Sequence, residues 1–252
     1  MRYEEFESFL DEDLSWRKKE VSELFLLAKD NIDKETLRKS LILLLYSHWE
    51  GYIKKASKLY IKYISEKKIK INLLSTNFTA ITLKSQISKC IDESANLTLA
   101  NELTFMASYI KKQERKFKIN INPDNDFENQ VIDTHSNLKP KVFKNIIKIL
   151  GLSYKSAIET REHYIDSHLL SNRNSISHGN PFDHNAQDGF SLTLTDIEKL
   201  KKIVFSIIDN FRDELLDYAD GEFYKVINNE QRLIYIQKKE EELENIFVDI
   251  ES

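Results

Sequence analysis

Apolar residues recur through most of this chain at steps of three and four, the spacing that gathers them on one face of a helix. Over residues 3–30 the stripe is Phe6, Leu10, Leu14, Val21, Leu24 and Leu27. Asn31 and Asp33 interrupt it, and Asp33 is placed to cap a second, longer helix over residues 34–68. In that helix the run from Leu41 to Leu45 is apolar on every side, which predicts burial between other helices. Residues 69–78 lose the period and read as an extended connection. Helices are expected again over 79–96 and 99–117.

The stretch 118–138 is of another kind, Asn-rich, with Pro123 and an Asp124-Asn125-Asp126 turn cluster. Phe117 to Ile121 and Gln130 to Asp133 flank it and could pair as a small β-hairpin. Ser136 or Asn137 is then expected to cap a short helix over 139–150, stopped by Gly151. Residues 156–178 predict a further helix, ended by Gly179 and Pro181, with a polar loop over 182–189. Thr195 opens a helix over 196–217, and a last helix covers 222–244. No repeat or linker marks a boundary. The pattern predicts one all-α domain over residues 1–252, with an inserted region at 69–138 and an acidic tail at 240–252.

Composition narrows this picture. Gly (5) and Pro (3) are scarce, which disfavours a β-sandwich or a Gly-rich nucleotide fold. A net charge of −4 neither announces a nucleic-acid partner nor excludes one, because distribution matters more than the total. Cys90 is the single cysteine, so no intramolecular disulfide and no Cys-based zinc set can form. Met1 to Phe9 is acidic and lacks the apolar core of a signal peptide. The best apolar run, residues 40–46, is about a third of the ~20 residues a membrane span needs. A soluble cytoplasmic protein is the expectation.

One segment carries chemistry: Ser171-Asn172-Arg173-Asn174-Ser175-Ile176-Ser177-His178-Gly179. The segment is similar to the Arg-x4–6-His motif of the HEPN superfamily, which implies cutting of RNA without metal, the RNA's own 2′-hydroxyl attacking the adjacent phosphate. That reaction needs an acid or base working near neutrality, which suits His, and a cation for the phosphorane charge, which suits Arg. Asn174 can hold the phosphate or orient the imidazole. At about 100° per residue, Asn174 and His178 fall about 40° apart, whereas Arg173 and His178 fall about 140° apart. A straight helix therefore does not bring Arg173 and His178 together. Either the helix distorts near Gly179, or two copies meet and line one cleft with both motifs.

The segment resembles the Arg-x4–6-His motif of the HEPN superfamily, with the polar residue after the Arg present as Asn174. Asp166 to Leu170 is similar to the approach to that motif. Asn137 to Leu152, Leu44 to Tyr46, and His48-Trp49-Glu50-Gly51-Tyr52 resemble further segments of MAE-type HEPN families. The likeness spans most of residues 35–215. It implies a HEPN-type helical bundle and a metal-independent endoribonuclease without cofactor, with Arg173, Asn174 and His178 as catalytic residues. It also implies a homodimer with a shared active site, and a toxin or anti-phage defence effector restrained by an antitoxin or defence-system protein. Some HEPN toxins carry a Tyr two residues after the His, which a partner nucleotidyltransferase modifies. Asn180 stands there in this chain, which puts that route of control in question.

A second function class fits the same residues, a non-catalytic HEPN adaptor that binds RNA or a protein partner. Glu50 reads either as an interfacial carboxylate paired with a Lys or as a group supporting Arg173 or His178 across the bundle. Two basic runs could guide RNA. One holds Lys54, Lys55, Lys58 and Lys62, and the other Lys111, Lys112, Arg115 and Lys116. Either run could equally be a solvated lysine face. His163 and His168 are spaced five apart, unlike the four-residue step of a helical zinc pair, and no metal site is expected.

Overall fold

The computed structural model describes residues 1–92, 100–125, 131–134, 137–180 and 191–252. Helix α1 (Tyr3–Asp30) and helix α2 (Glu35–Glu66) form a hairpin, closed where the amino group of Met1 meets Glu66. α1 commits Phe6, Leu10, Leu14 and Val21 to the core, with Ala28 completing the stripe; Leu27 is exposed. Asp33 does not cap α2: Lys34 stands at the cap position and no side chain closes it.

α2 is the axis of the bundle. It packs against α1, α5 (Pro140–Leu150), α8 (Asn172–Ser177) and α9 (Leu194–Asp220), as a helix apolar on several sides must. Each large apolar side chain withdrawn there contributes about 1.5–3 kcal/mol. Phe6, Tyr52 and Tyr60 are among them, and Phe6 stacks on Tyr63 at 4.8 Å between ring centroids.

Beyond α2 the chain forms a 3-10 turn (Ile71–Leu73) followed by α3 (Thr76–Asp92) and α4 (Ala100–Gln113). The hairpin between 117–121 and 130–133 is not formed among the described residues. The chain leaving α4 pairs instead with the segment entering α3. Phe117 N–H donates to the Ile69 carbonyl at 2.7 Å, and Ile71 N–H to the Arg115 carbonyl at 2.9 Å. Packing decides the choice, since Phe117 is fully buried edge-on against Phe78 at 5.1 Å. Asp126, Gln130 and Ser136 lie outside the described residues.

Helix α5 starts at Pro140 without a side-chain cap, because Asn137 is engaged elsewhere, and Gly151 ends it. The helix expected over 156–178 is broken into α6 (Ser156–Glu159), α7 (Glu162–Ile165), a π-helical turn (Asp166–Ser171) and α8. The first break falls at Thr160 and Arg161. The Arg161 guanidinium turns back to the Ala157 carbonyl and out to Glu244 and Glu251. α9 opens at a capping box of Thr193 and Asp196, one residue ahead of Leu194, not at Thr195. A 3-10 turn (Val226–Asn228) leads into α10 (Asn229–Glu251), so the acidic tail is helical rather than a separate extension. Leu243 and Phe247 bury one face of it, and Arg161 lies over the Phe247 ring at 4.3 Å. Pro181 and the expected polar loop lie outside the described residues. No helix among the described residues is long and apolar enough to cross a membrane.

Candidate active site

The motif reaches α2 through the π-helical turn. Widening the helix there buries three consecutive residues, His168, Leu169 and Leu170. The carbonyls it leaves are taken by side chains. Ser171 Oγ donates to the Asp166 carbonyl at 3.0 Å, and Asn172 Nδ2 to the His168 carbonyl at 2.8 Å. A π turn is rare and concentrates at functional sites. This one ends at the residue before Asn172-Arg173-Asn174.

Arg173 is half-buried. Its guanidinium carbon lies 4.4 Å from the centroid of the Tyr46 ring, and Nη1 donates to Asn174 Oδ1 at 2.8 Å. Among the described residues no carboxylate stands within ion-pair distance of it. Its direct partners, an amide and a ring, are neutral groups, and the Glu50 carboxylate acts on the hydroxyl of that same ring. Asn174 therefore orients the arginine rather than the imidazole.

His178 is exposed and closes the helix as its C-cap residue. Gly179 follows at φ 74°, the left-handed conformation that favours glycine. Gly179 N–H bonds the Ile176 carbonyl at 3.0 Å and Asn180 N–H the Ser175 carbonyl at 3.1 Å. These two bonds are a Schellman motif, which satisfies the final carbonyls. The helix does not distort to carry His178 over to Arg173. Arg173 lies against Tyr46 on α2 while His178 faces solvent, as the angular spacing requires for one chain.

Glu50 is half-buried, one turn after Tyr46, and lines a cleft of about 690 Å³ with Arg17, Ser47, Gly51, Lys54, Lys55 and Asp133. Lys55 is ion-paired to Asp13 at 3.2 Å and to Asp124 at 3.1 Å. Lys62 lines a neighbouring cleft with Phe9 and Trp16. Lys58 is only 1% exposed, and its Nζ donates to the Asn125 carbonyl at 2.9 Å. Lys58 therefore joins the core and leaves the RNA-facing set. Lys111, Arg115 and Lys116 are exposed, while Lys112 bonds the Thr82 carbonyl at 3.1 Å. This second run lies at the end of α4, which packs on α3 and on the 3-10 turn at Ile71–Leu73.

Beneath the cleft lies a buried polar cluster. Arg17, 8% exposed, donates from Nε to Asp13 Oδ2 at 2.7 Å, and its guanidinium carbon lies 4.5 Å from the Trp16 ring centroid. His48 packs edge-on against Trp16 at 5.1 Å, with Nε2 3.1 Å from a Glu20 carboxylate oxygen. Gly51 makes room for Arg17: a Cβ there would stand 2.7 Å from Nη1. His163 is exposed whereas His168 is buried against Tyr164 at 4.4 Å, so the two do not face one another.

Sequence reasoning did not single out Tyr46 for the site. Its signal was present in the segment Leu44 to Tyr46, but which residue meets Arg173 depends on how α8 docks. With this geometry in place, the comparison with known families is direct. The family model described as MAE_28990-like HEPN matches residues 6–224, and the chain belongs to that family. No curated protein and no solved structure matches it.

Proposed function

We propose that this HEPN-family protein is a metal-independent endoribonuclease whose site is built on Arg173, Asn174 and His178. One observation carries the reading. Arg173 is half-buried on a ring and an amide, with no carboxylate within ion-pair distance among the described residues. An ordered guanidinium whose direct partners are neutral suits an incoming phosphate, which it can meet with a planar fork.

In this reaction the 2′-oxygen bonds to the adjacent phosphorus and the P–O5′ bond breaks. One proton leaves O2′ and one is delivered to O5′, leaving a 2′,3′-cyclic phosphate and a 5′-hydroxyl. Arg173 stabilises the charge that develops on the phosphorane oxygens, and His178 moves a proton. Asn174 sets the arginine fork. A homodimer with both motifs facing a shared cleft completes the site, because one chain leaves Arg173 and His178 apart. Exposed Lys111, Arg115 and Lys116, with Lys54 and Lys62 at the clefts, guide RNA toward it. The biological setting that fits is a cytoplasmic toxin or anti-phage effector held silent by an antitoxin or defence-system partner.

The test is cleavage of single-stranded RNA in excess chelator, with product ends identified. Wild type yields cyclic phosphates, while Arg173→Ala and His178→Ala keep the helical signal and the oligomeric state but cut nothing. Cleavage retained in His178→Ala, or lost in chelator, overturns the reading. Stable RNA binding without product identifies an adaptor instead. In cells, expression of wild type arrests growth and His178→Ala does not.

A further inference from the structure

We infer that Tyr46 is the positioning residue for Arg173, a buried aromatic platform that fixes the direction of the guanidinium fork. The inference rests on the reading of Arg173 as the phosphate cation.

Tyr46 is only 2% exposed, yet the group over its ring is a cation, not an apolar side chain. The ring is itself tied down at its far end. Its hydroxyl accepts from Leu138 N–H at 2.9 Å and donates to Asn137 Oδ1 at 3.2 Å. Trp49, three residues on, donates from Nε1 to the Leu138 carbonyl at 3.3 Å, so the segment entering α5 is fastened to α2 at both of its peptide faces. The Tyr46 ring is therefore set by α2 and by the segment entering α5, and Arg173 lies over its face from α8.

The hold on Arg173 has two points, the ring face and Asn174 Oδ1. Among the described residues no other acceptor takes a hydrogen from the fork, so Nη2 and Nε keep theirs for an incoming anion. Burial, reinforced by Glu50 one turn away, pushes the Tyr46 phenol up to about 12. The ring stays neutral throughout the working range and repels no phosphate. With its hydroxyl engaged by Leu138, Asn137 and the Glu50 carboxylate, Tyr46 takes no part in proton transfer. Its contribution is direction: a long side chain with many rotamers is delivered already ordered to the place where charge develops.

Two variants and two measurements test this. Tyr46→Phe keeps the ring face and loses the hydroxyl bonds, whereas Tyr46→Leu loses both. The first measurement is the arginine Nε–H spectrum of the free protein, with Arg173 identified by the signal missing in Arg173→Lys. The Arg173 proton should be displaced by the ring current in wild type and in Tyr46→Phe. In Tyr46→Leu it should return to the position of exposed arginines such as Arg2 and Arg115. The second is cleavage kinetics. A lost cation–π platform should lower kcat about tenfold in Tyr46→Leu with KM changed less than about twofold. Tyr46→Phe should keep most of the wild-type kcat, a rescue that simple unfolding would not show.

An Arg173 signal that is undisplaced in wild type, or unchanged in Tyr46→Leu, overturns the inference. So does wild-type kcat in Tyr46→Leu when Arg173→Ala is inactive. Failure of the nuclease reading looks different: wild type leaves RNA intact, or Arg173→Ala cuts as well as wild type. The arginine spectrum alone then decides whether Tyr46 holds Arg173.

Discussion

Arg17 and Arg173 are both drawn out of bulk water beside α2, and both lie on an aromatic ring, at 4.5 Å from Trp16 and 4.4 Å from Tyr46. The difference between them is what cancels the charge. Arg17 is locked to Asp13, itself 5% exposed, and touches the imidazole of His48 at 3.3 Å. Arg161 and Arg212 follow the same rule, each carrying two carboxylates. Arg173 has an amide and a ring. The ring contact is common to Arg17 and Arg173, and the carboxylate is what separates the two: Arg173 has none within ion-pair distance among the described residues.

The sharpest way to break this comparison is to truncate each arginine. Arg173→Ala should lower RNA cleavage by about a thousandfold or more, the scale of losing a transition-state charge donor, while the melting temperature barely moves. Arg17→Ala should do the reverse. It takes from the buried Asp13 its Arg17 partner, leaving Lys55 and Trp16, and should cost about 2–3 kcal/mol in a urea titration. The refolded fraction should still cut RNA. If the two variants behave alike, the distinction drawn from the carboxylates is wrong.

Smaller changes sharpen it. Gly51→Ala sets a Cβ 2.7 Å from Arg17 Nη1, and it should cost about 1–3 kcal/mol by overpacking. Adding Arg17→Ala should relieve part of that cost, so the two effects should fall short of additive. Gly179→Ala forces a side chain into φ 74° and should cost about 1 kcal/mol. Because His178 is the adjoining residue, cleavage should fall in Gly179→Ala while the Arg17 cluster is untouched.

The smallest effect is a pH dependence. Burial first, and Arg17 next, hold the His48 imidazole below its ordinary value of 6.5, against the opposing pull of Glu20. The unfolded chain then takes up the proton first. The stability that neutral His48 contributes is complete above the ordinary value, and it is lost as pH falls from there through the lower folded value. The urea midpoint should drop between about pH 7 and pH 5, and His48→Gln should flatten that drop. A slope unchanged in His48→Gln would assign the titration to another group.

Much of the fold was legible because helix faces are local. Tyr3–Asp30 follows from its stripe, and Gly151 and Gly179 mark the ends they close. Misreadings arose where a partner distant in sequence decides. Lys58 has the residue type of an RNA contact, but α2 is surrounded at that position and its ammonium is carried inward to Asn125. The charges of residues 240–251 masked the pair Leu243 and Phe247, whose burial depends on Arg161 far upstream. Helix α9 opens two residues before Thr195, where Thr193 and Asp196 have the spacing of a capping box. In the site, Arg173, Asn174 and His178 were visible as a motif, and the separation of Arg173 from His178 in one chain followed from helical angles. Tyr46 was not visible as a platform, since its partner lies on another helix.

The π-helical turn before the motif makes segment length a variable in its own right. One residue of α-helix advances the chain by about 1.5 Å and rotates it by about 100°. Deleting a single residue between Asp166 and Ser171 would let the backbone return to a more regular helix, yet it would turn Arg173 against everything upstream of it. The regular helix and the seated arginine are thus alternative outcomes of chain length. Burial of Leu169 and Leu170 is the weight that favours the second. Relatives that differ by one residue in this stretch would differ in phase, whatever the identity of their motif residues.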